Sequence, residues 1–214
     1  LVEHGFLVND DFDELSYIEF GIKKSKFDNS LYHIVINPTL DCNLSCWYCY
    51  EKKQKYSVIS SDVIEGIKKN IVLHNDHSPF RTLKLSFFGG EPFLQFKAIK
   101  ELTDFASDFC KNNSKYFILD FTTNANLIKQ SHLLKISQFP CVFQITLDGN
   151  KKQHNKIKFT KNRNIDTYQL AINNIKKILD TISNSFVAIR VNFDSYTLNS
   201  FDDILEDIKD LDRK

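Results

Sequence analysis

The sequence has few of the features that mark fibrous, disordered or nucleic-acid-binding proteins. Its 214 residues include no methionine, one tryptophan, six glycines and four prolines. So little glycine and proline, beside 42% hydrophobic residues, excludes a collagen-like fibre and a disordered chain. The 28 lysines and arginines nearly balance 27 aspartates and glutamates, which gives a net charge of +1. This balance argues against a basic nucleic-acid-binding surface, so we expect no nucleic-acid partner.

Long apolar segments are also missing. No run of apolar residues approaches the roughly 18 that a membrane-spanning helix needs, and no signal peptide is recognisable at the start of the sequence. We therefore predict a soluble, cytoplasmic protein without a membrane partner. Because the chain neither contains methionine nor begins with it, we expect it to be a piece of a longer protein.

Alternating strand and helix patterns predict an α/β fold. Runs of β-branched and aromatic residues occupy residues 32–37, 83–88, 116–122, 141–147 and 186–193. They are nearly continuous, as strands buried on both faces should be. Stripes of apolar residues with helical spacing separate them. This order favours parallel strands joined by right-handed crossovers, in either a doubly wound sheet or a (β/α) barrel.

Polar residues at the ends of the predicted strands favour the barrel. The first four strands are followed in turn by residues 42–49, 89–92, 123–124 and 148–149, and Asn192 and Asp194 lie at the end of the fifth. Barrel enzymes build their sites on one rim from the carboxyl ends of several strands, whereas an open sheet uses a single crevice. Since every strand contributes here, we predict a partial (β/α) barrel.

The most informative motif is Cys42-x3-Cys46-x2-Cys49. Three thiolates on one loop can hold three irons of an iron–sulfur cube and leave the fourth iron open to another ligand. Two other interpretations remain: a zinc site, although no second Cys or His pair lies nearby, and one apolar face of a helix. A disulfide framework fits poorly, because the five cysteines are odd in number and three are crowded together. Cys110 and Cys141 lie in apolar patterns and are predicted to be core residues.

The segment 38–50 resembles the cluster loop of the radical S-adenosylmethionine (radical SAM) superfamily, with Tyr48 at the aromatic position of Cys-x3-Cys-x-aromatic-Cys. Three further motifs of that family follow in order: Gly-Gly-Glu-Pro at 89–92, Thr-Thr-Asn-Ala at 122–125 and Gln-Ile-Thr-Leu-Asp-Gly at 144–149. Together they resemble the branch that carries a SPASM domain and modifies peptides and proteins. The resemblance implies a [4Fe-4S] cluster held by the three clustered cysteines, and S-adenosylmethionine as the second cofactor.

The resemblance also implies how S-adenosylmethionine is bound. Backbone carbonyls of Gly89 and Gly90 and the side chain of Glu91 would bind the amino group of its methionine moiety. Thr146 and a downstream basic residue would bind the carboxylate. Lys158 stands where the family usually has arginine, so the second contact would lack bidentate geometry. The residues implied to face the nucleoside are Tyr48, Thr122, Asn124 and Asn192.

The implied activity is reductive cleavage of S-adenosylmethionine to a 5′-deoxyadenosyl radical that abstracts hydrogen from a peptide or protein. We predict a maturase of ribosomal peptides that forms thioether or carbon crosslinks, with a flavodoxin or ferredoxin as electron donor. The alternatives are an anaerobic sulfatase maturase, which makes formylglycine, and a non-enzymatic, zinc-stabilised binding module. Residues 3–8 resemble the segment that precedes the barrel in such maturases, where leader-binding elements lie.

Barrels of this family have six strand–helix units, and this sets the expected domain limits. We assign residues 1–30 to an N-terminal appendage, in which residues 10–22 have an amphipathic helical pattern. Residues 31–214 are assigned to the barrel, with five strands of the expected six. The last helical pattern begins at Phe201 and continues almost to the end of the sequence. We therefore expect the sixth strand and the auxiliary-cluster domain to lie outside this chain.

Overall fold

The computed structural model describes residues 7–160 and 164–211. Seven strands lie within these ranges. They are β1 (Leu31–Ile36), β2 (Ser45–Cys46), β3 (Thr82–Phe87), β4 (Tyr116–Thr123), β5 (Cys141–Thr146), β6 (Lys158–Phe159) and β7 (Ser185–Arg190). One sheet contains β1, β3, β4, β5 and β7, and a separate antiparallel pair joins β2 to β6. The prediction of five parallel strands in a partial barrel is confirmed.

Helices of the described residues alternate with the strands of the sheet. They are α1 (Glu14–Lys26), α2 (Ser61–His77), α3 (Phe96–Asn112), α4 (Gln130–Ile136), α5 (Lys151–Ile157), α6 (Thr167–Thr181) and α7 (Phe201–Ile208). Ser60 is the N-cap of α2, because its side chain accepts a hydrogen bond from the backbone N–H of Val63 at 3.3 Å. Asp166 is the N-cap of α6 in the same way, accepting from Gln169 N at 3.0 Å. These caps fix the first residues of the two helices.

The sheet has the strand order of a barrel. Its neighbours run β1-β3-β4-β5-β7, which is the order along the chain, and every pair is parallel. A doubly wound sheet would instead reverse its order at a switch point. The carboxyl ends of all five strands therefore lie at one edge, and the loops that follow them share one rim.

Aromatic rings between the sheet and its covering helices form the centre of the core. Phe121 on β4 is fully buried, and its ring stacks between Phe87 on β3 and Phe143 on β5, with centroid distances of 5.5 and 5.0 Å. Ile99 and Leu102 of α3 are also fully buried. This packing ties three adjacent strands together beneath the rim.

The N-terminal helix begins later than predicted. We expected residues 10–22 to be helical, but α1 begins at Glu14, because Asp13 caps it by accepting from Ser16 N at 3.0 Å. No residue of α1 is buried. Residues 3–6, most of the segment compared with leader-binding elements, lie outside the described residues. No helix in the described ranges has the length and apolar character needed to cross a membrane.

Replacing Phe121 with alanine should lower the free energy of unfolding by about 3–5 kcal/mol, because the cavity would lie between two strands that cannot close around it. Urea denaturation followed by circular dichroism measures this change. Tyr116→Ala is the matched control, since this aromatic residue on the same strand is 75% exposed. Equal losses in both variants would contradict the placement of Phe121 at the centre of the core.

Candidate active site

A cavity opens at the rim where the carboxyl ends of the parallel strands meet. Eleven of the twelve predicted site residues line it: Cys42, Cys46, Tyr48, Cys49, Gly89, Gly90, Thr122, Asn124, Thr146, Lys158 and Asn192. They come from segments spread over about 150 positions of the chain, and the parallel order of the strands brings them together. The twelfth residue, Glu91, is fully buried and is not part of the cavity wall.

The three clustered cysteines lie on the loop that follows β1. All three are free thiols; Cys42 and Cys46 are half-buried, whereas Cys49 is exposed. Asn124, at the end of β4, directs its Nδ2 atom to Cys42 Sγ at 3.8 Å. Leu44 anchors the loop, since it is only 1% exposed between two of the cysteines. The loop is therefore held in place while its thiols remain accessible from the cavity.

Burial makes two of these thiols harder to ionise. It raises the pKa of Cys42 to about 11 and also raises the pKa of Cys46. The positive charges of Lys53 and Lys158 oppose the shift at Cys46. Because thiolates are the ligands of iron, any binding of metal at this loop must release protons.

The side chains of the cysteine loop are not gathered around one point. Among the residues that the structure describes, no three His, Cys, Asp or Glu side chains are grouped so that they could hold one ion. An iron–sulfur cube takes one thiolate on each of three irons, so its ligands need not converge on one point.

Two glycines allow the end of β3 to approach the cysteine loop closely. The backbone N–H of Gly90 donates to Thr39 O at 3.0 Å, and that of Glu91 donates to Asp41 O at 2.9 Å. A Cβ atom on Gly90 would lie 2.0 Å from Asp41 O. Because that oxygen belongs to the backbone, no side-chain movement could remove the clash. Gly89 has a φ of +100°, a conformation that favours glycine. The Gly-Gly pair is thus required by backbone packing, whatever it binds.

Glu91 joins the ends of β3 and β4 behind the cavity. Its carboxylate accepts hydrogen bonds from Thr123 Oγ1 at 2.8 Å, from Asn124 N at 2.9 Å and from Phe93 N at 3.1 Å. Burial raises the pKa of this carboxyl, and the three donors partly offset that effect. In this geometry the carboxylate holds the rim together and does not face the cavity.

A second buried carboxylate lies beneath the other side of the cavity. Asp148 is fully buried, accepts from Tyr48 Oη, and accepts from the backbone N and the Nδ2 of Asn192 at 3.1 and 3.2 Å. Lys158 Nζ lies 3.6 Å from the same carboxylate. Burial lowers the pKa of His154 to about 3, so its neutral ring can accept from Asp148 N, at 3.2 Å from Nδ1. These contacts connect the cysteine loop to the ends of β5 and β7.

Some cavity residues were missed by sequence reasoning. Gln144 on β5 and Arg190, the last residue of β7, line the cavity beside predicted residues. Each lies two positions before a predicted residue, Thr146 or Asn192, and alternate residues of a strand share one face. That period-two pattern was the signal that could have identified them. Lys53 carries no comparable signal, because its place in the cavity depends on the path of a loop.

Trp47 and the two remaining cysteines lie outside the cavity. Trp47 is 72% exposed, whereas its neighbour Tyr48 lines the cavity. Cys110 and Cys141 are each 2% exposed, so their prediction as core residues is confirmed.

Comparison with known families decides what kind of site this is. The model of the radical SAM superfamily matches residues 36–208, most of the chain. The chain belongs to the radical SAM superfamily. Membership makes it part of an enzyme and implies a [4Fe-4S] cluster and S-adenosylmethionine as its cofactors, as predicted. The residues present suit these cofactors, since three free thiols line one cavity together with most of the other predicted residues.

Individual radical SAM proteins resemble the chain at low identity. The S-adenosylmethionine-dependent nucleotide dehydratase RSAD2 of Siniperca chuatsi is 24% identical over 197 residues, which cover 91% of this chain and 52% of the relative. Five curated relatives were matched, and the chain spans between 33% and 58% of their length.

Two solved structures share the fold. Native anSMEcpe with bound AdoMet and Cp18Cys peptide superimposes with a TM-score of 0.70 at 21% identity, covering 85% of this chain and 48% of that one. Streptococcus suis SuiB bound to precursor peptide SuiA gives a TM-score of 0.54 at 17% identity, covering 94% and 43%. At these identities the likeness establishes the fold alone.

Replacing Glu91 with alanine should lower the free energy of unfolding by about 3 kcal/mol or more, because three buried donors would lose their acceptor. Chemical denaturation without added cofactor measures this loss. Glu101→Ala is the control: this exposed carboxylate pairs with Lys68 at 2.8 Å, and surface pairs contribute at most about 1 kcal/mol. An unchanged stability of the Glu91 variant would show that its carboxylate does not hold the rim together.

Proposed function

We propose that the chain provides the cofactor-binding barrel of a radical SAM enzyme that modifies a peptide or protein. One observation carries the proposal: eleven of the twelve residues selected for cluster and S-adenosylmethionine binding line one cavity. The peptide substrate is supported by the fold shared with anSMEcpe and SuiB, each of which has a peptide bound. Residues 1–30 are proposed as an appendage and residues 31–214 as the barrel.

Cys42, Cys46 and Cys49 would each ligate one iron of the cluster and leave the fourth open. When bound, the cluster and S-adenosylmethionine supply an electron and a cleavable sulfonium, which yield methionine and a 5′-deoxyadenosyl radical for hydrogen abstraction. Two backbone hydrogen bonds from the end of β3 hold the start of the cysteine loop in place, which would limit the conformational freedom lost on binding the cluster.

The strand ends would position S-adenosylmethionine against the open iron. Carbonyl oxygens at Gly89 and Gly90 are acceptors for its amino group, whereas the buried Glu91 would act by holding these strand ends. Thr146 and Lys158 lie across the cavity, where a hydroxyl and an ammonium group can bind its carboxylate. Residues proposed to face the nucleoside are Tyr48, Thr122, Asn124 and Asn192. No single residue is proposed as a general base.

The product is proposed to be a crosslinked ribosomal peptide, with thioether or carbon bonds, and the electron donor a flavodoxin or ferredoxin. Formylglycine formation on a sulfatase is the alternative within peptide and protein substrates. A nucleotide substrate is favoured by one observation, the match of 91% of this chain to a relative named as a nucleotide dehydratase. The cytoplasmic location expected from the sequence stays a prediction.

Anaerobic reconstitution with iron and sulfide tests whether the protein binds the cluster and S-adenosylmethionine. The protein should bind about four irons and four sulfides per chain, develop broad visible absorption, and bind S-adenosylmethionine. A colourless protein that binds one zinc ion per chain would support a zinc-stabilised binding module instead. Incubation of the full-length enzyme with candidate peptides and nucleotides, followed by mass spectrometry, distinguishes the two substrate classes.

Replacing any one of Cys42, Cys46 and Cys49 with alanine should abolish reductive cleavage of S-adenosylmethionine, because two thiolates cannot secure a cube that needs three. The readouts are bound iron and the yield of 5′-deoxyadenosine. Cys110→Ala and Cys141→Ala are the controls, since both thiols are buried away from the cavity. Cleavage retained by the Cys46 variant would argue against the cluster assignment.

Thr146→Val keeps the shape of the side chain and removes its hydroxyl. Loss of one hydrogen bond to a charged group costs about 1–3 kcal/mol, so the dissociation constant of S-adenosylmethionine should rise roughly five- to hundredfold. The visible absorption of the cluster should not change, because Thr146 is not an iron ligand. Thr181→Val, at the end of α6, is the control for a lost threonine hydroxyl outside the cavity. Normal affinity in the Thr146 variant would contradict its proposed contact.

A further inference from the structure

A buried lysine lies beside one of the cluster cysteines. Lys158 is only 6% exposed, and its Nζ atom lies 3.9 Å from Cys46 Sγ. The same ammonium group lies 5.4 Å from the centre of the Tyr48 ring. Lysine is rarely buried so fully unless its charge is paired. Its charge must therefore be balanced by groups at this site.

The backbone holds Lys158 in this position from both sides. In the antiparallel pair of β2 and β6, Cys46 and Lys158 are directly opposite each other. On the far side, the hydroxyl of Thr167, which is fully buried at the start of α6, donates to Lys158 O at 2.6 Å. The closeness of ammonium and sulfur thus follows from strand pairing and is not the chance position of a long side chain.

The negatively charged partner of Lys158 is Asp148, and it is also fixed by several contacts. Asp148 Oδ2 lies 3.6 Å from Lys158 Nζ, and Tyr48 and Asn192 donate to the same carboxylate. Its charge is thus shared among three partners. Cys46 Sγ, at 3.9 Å from the ammonium, is a second group that could carry negative charge. Asp148, Lys158 and Cys46 form a row of alternating charge once the cysteine is a thiolate.

We propose that Lys158 is a positioning residue for electron transfer, which makes reduction of the cluster easier by placing a positive charge beside the Cys46 thiolate. The inference rests on the proposed function, because it requires a cluster at these cysteines. Reduction by a low-potential one-electron donor adds one negative charge to the cluster. A fixed cation nearby stabilises the reduced state more than the oxidised state, since net charge and contacts to the sulfurs set cluster potentials. Asp148 limits this effect by balancing part of the charge.

The test is a redox titration of the anaerobically reconstituted protein with dithionite and mediators, followed by electron paramagnetic resonance. S-adenosylmethionine is left out, so that the proposed contact of Lys158 with its carboxylate cannot contribute. Lys158→Met should lower the equilibrium constant for reduction at least tenfold, which is a shift of about 59 mV to more negative potential. Lys158→Arg, which keeps the cation, should stay close to the parent protein. Lys156→Met, on the exposed side of the same segment, is the matched control and should not shift.

Asp148→Asn provides a second, independent variant. It removes the anion and leaves the cation, so its potential should shift in the opposite direction, to more positive values. A merely structural role would reduce the cluster content of both variants without moving their potentials in opposite directions. If Lys158→Met holds no cluster, Asp148→Asn decides: an unchanged or more negative potential overturns the inference.

The outcomes also separate this inference from the proposed function. A parent protein that takes up no cluster overturns both. A parent protein with a normal cluster, beside a Lys158→Met variant of the same potential, overturns the inference alone and leaves the cofactor assignment standing.

Discussion

The candidate site depends on the close approach of two backbone segments, the end of β3 and the cysteine loop. Gly90 N and Glu91 N donate to carbonyl groups of that loop, and only a residue without Cβ fits at position 90. A loop with three free thiols and no disulfide is not fixed in one conformation by its own bonds. Here it forms two hydrogen bonds with the edge of a buried sheet, so the rigidity of the core extends to the cysteines.

Buried charge is the second element of the rim. Glu91 connects β3 to β4, and Asp148 connects the cysteine loop to β5 and β7. A buried carboxylate is costly unless it is hydrogen-bonded on several sides, so each one stabilises only the arrangement that brings all its donors together. The two carboxylates therefore make the spacing of the strand ends specific, in a way that apolar packing alone would not.

Much of this architecture could be predicted from the sequence, because its signals are local. The strands are continuous apolar runs, and the cysteines, Gly89-Gly90 and Thr146 lie within short motifs at strand ends. The features that the sequence did not reveal depend on contacts between residues far apart in the chain. Lys158 was selected for its basic charge, yet its pairing opposite Cys46 requires two segments far apart in the chain to meet. Glu91 was predicted to bind S-adenosylmethionine, and nothing in its motif shows that three donors surround its carboxylate.

The pairing of β2 with β6 also has a consequence for biosynthesis. Cys46 and Lys158 are 112 positions apart in the chain. Ribosomes add roughly 5–20 residues per second, so about 6–20 s pass between synthesis of the cysteine and of the lysine opposite it. During that interval the thiols lack their opposing strand, and the end of β7, which completes the rim, is synthesised later still. Delivery of iron and sulfide is thus better matched to the finished domain than to the nascent chain, and the growing polypeptide has to keep three cysteines reduced until its second half has folded.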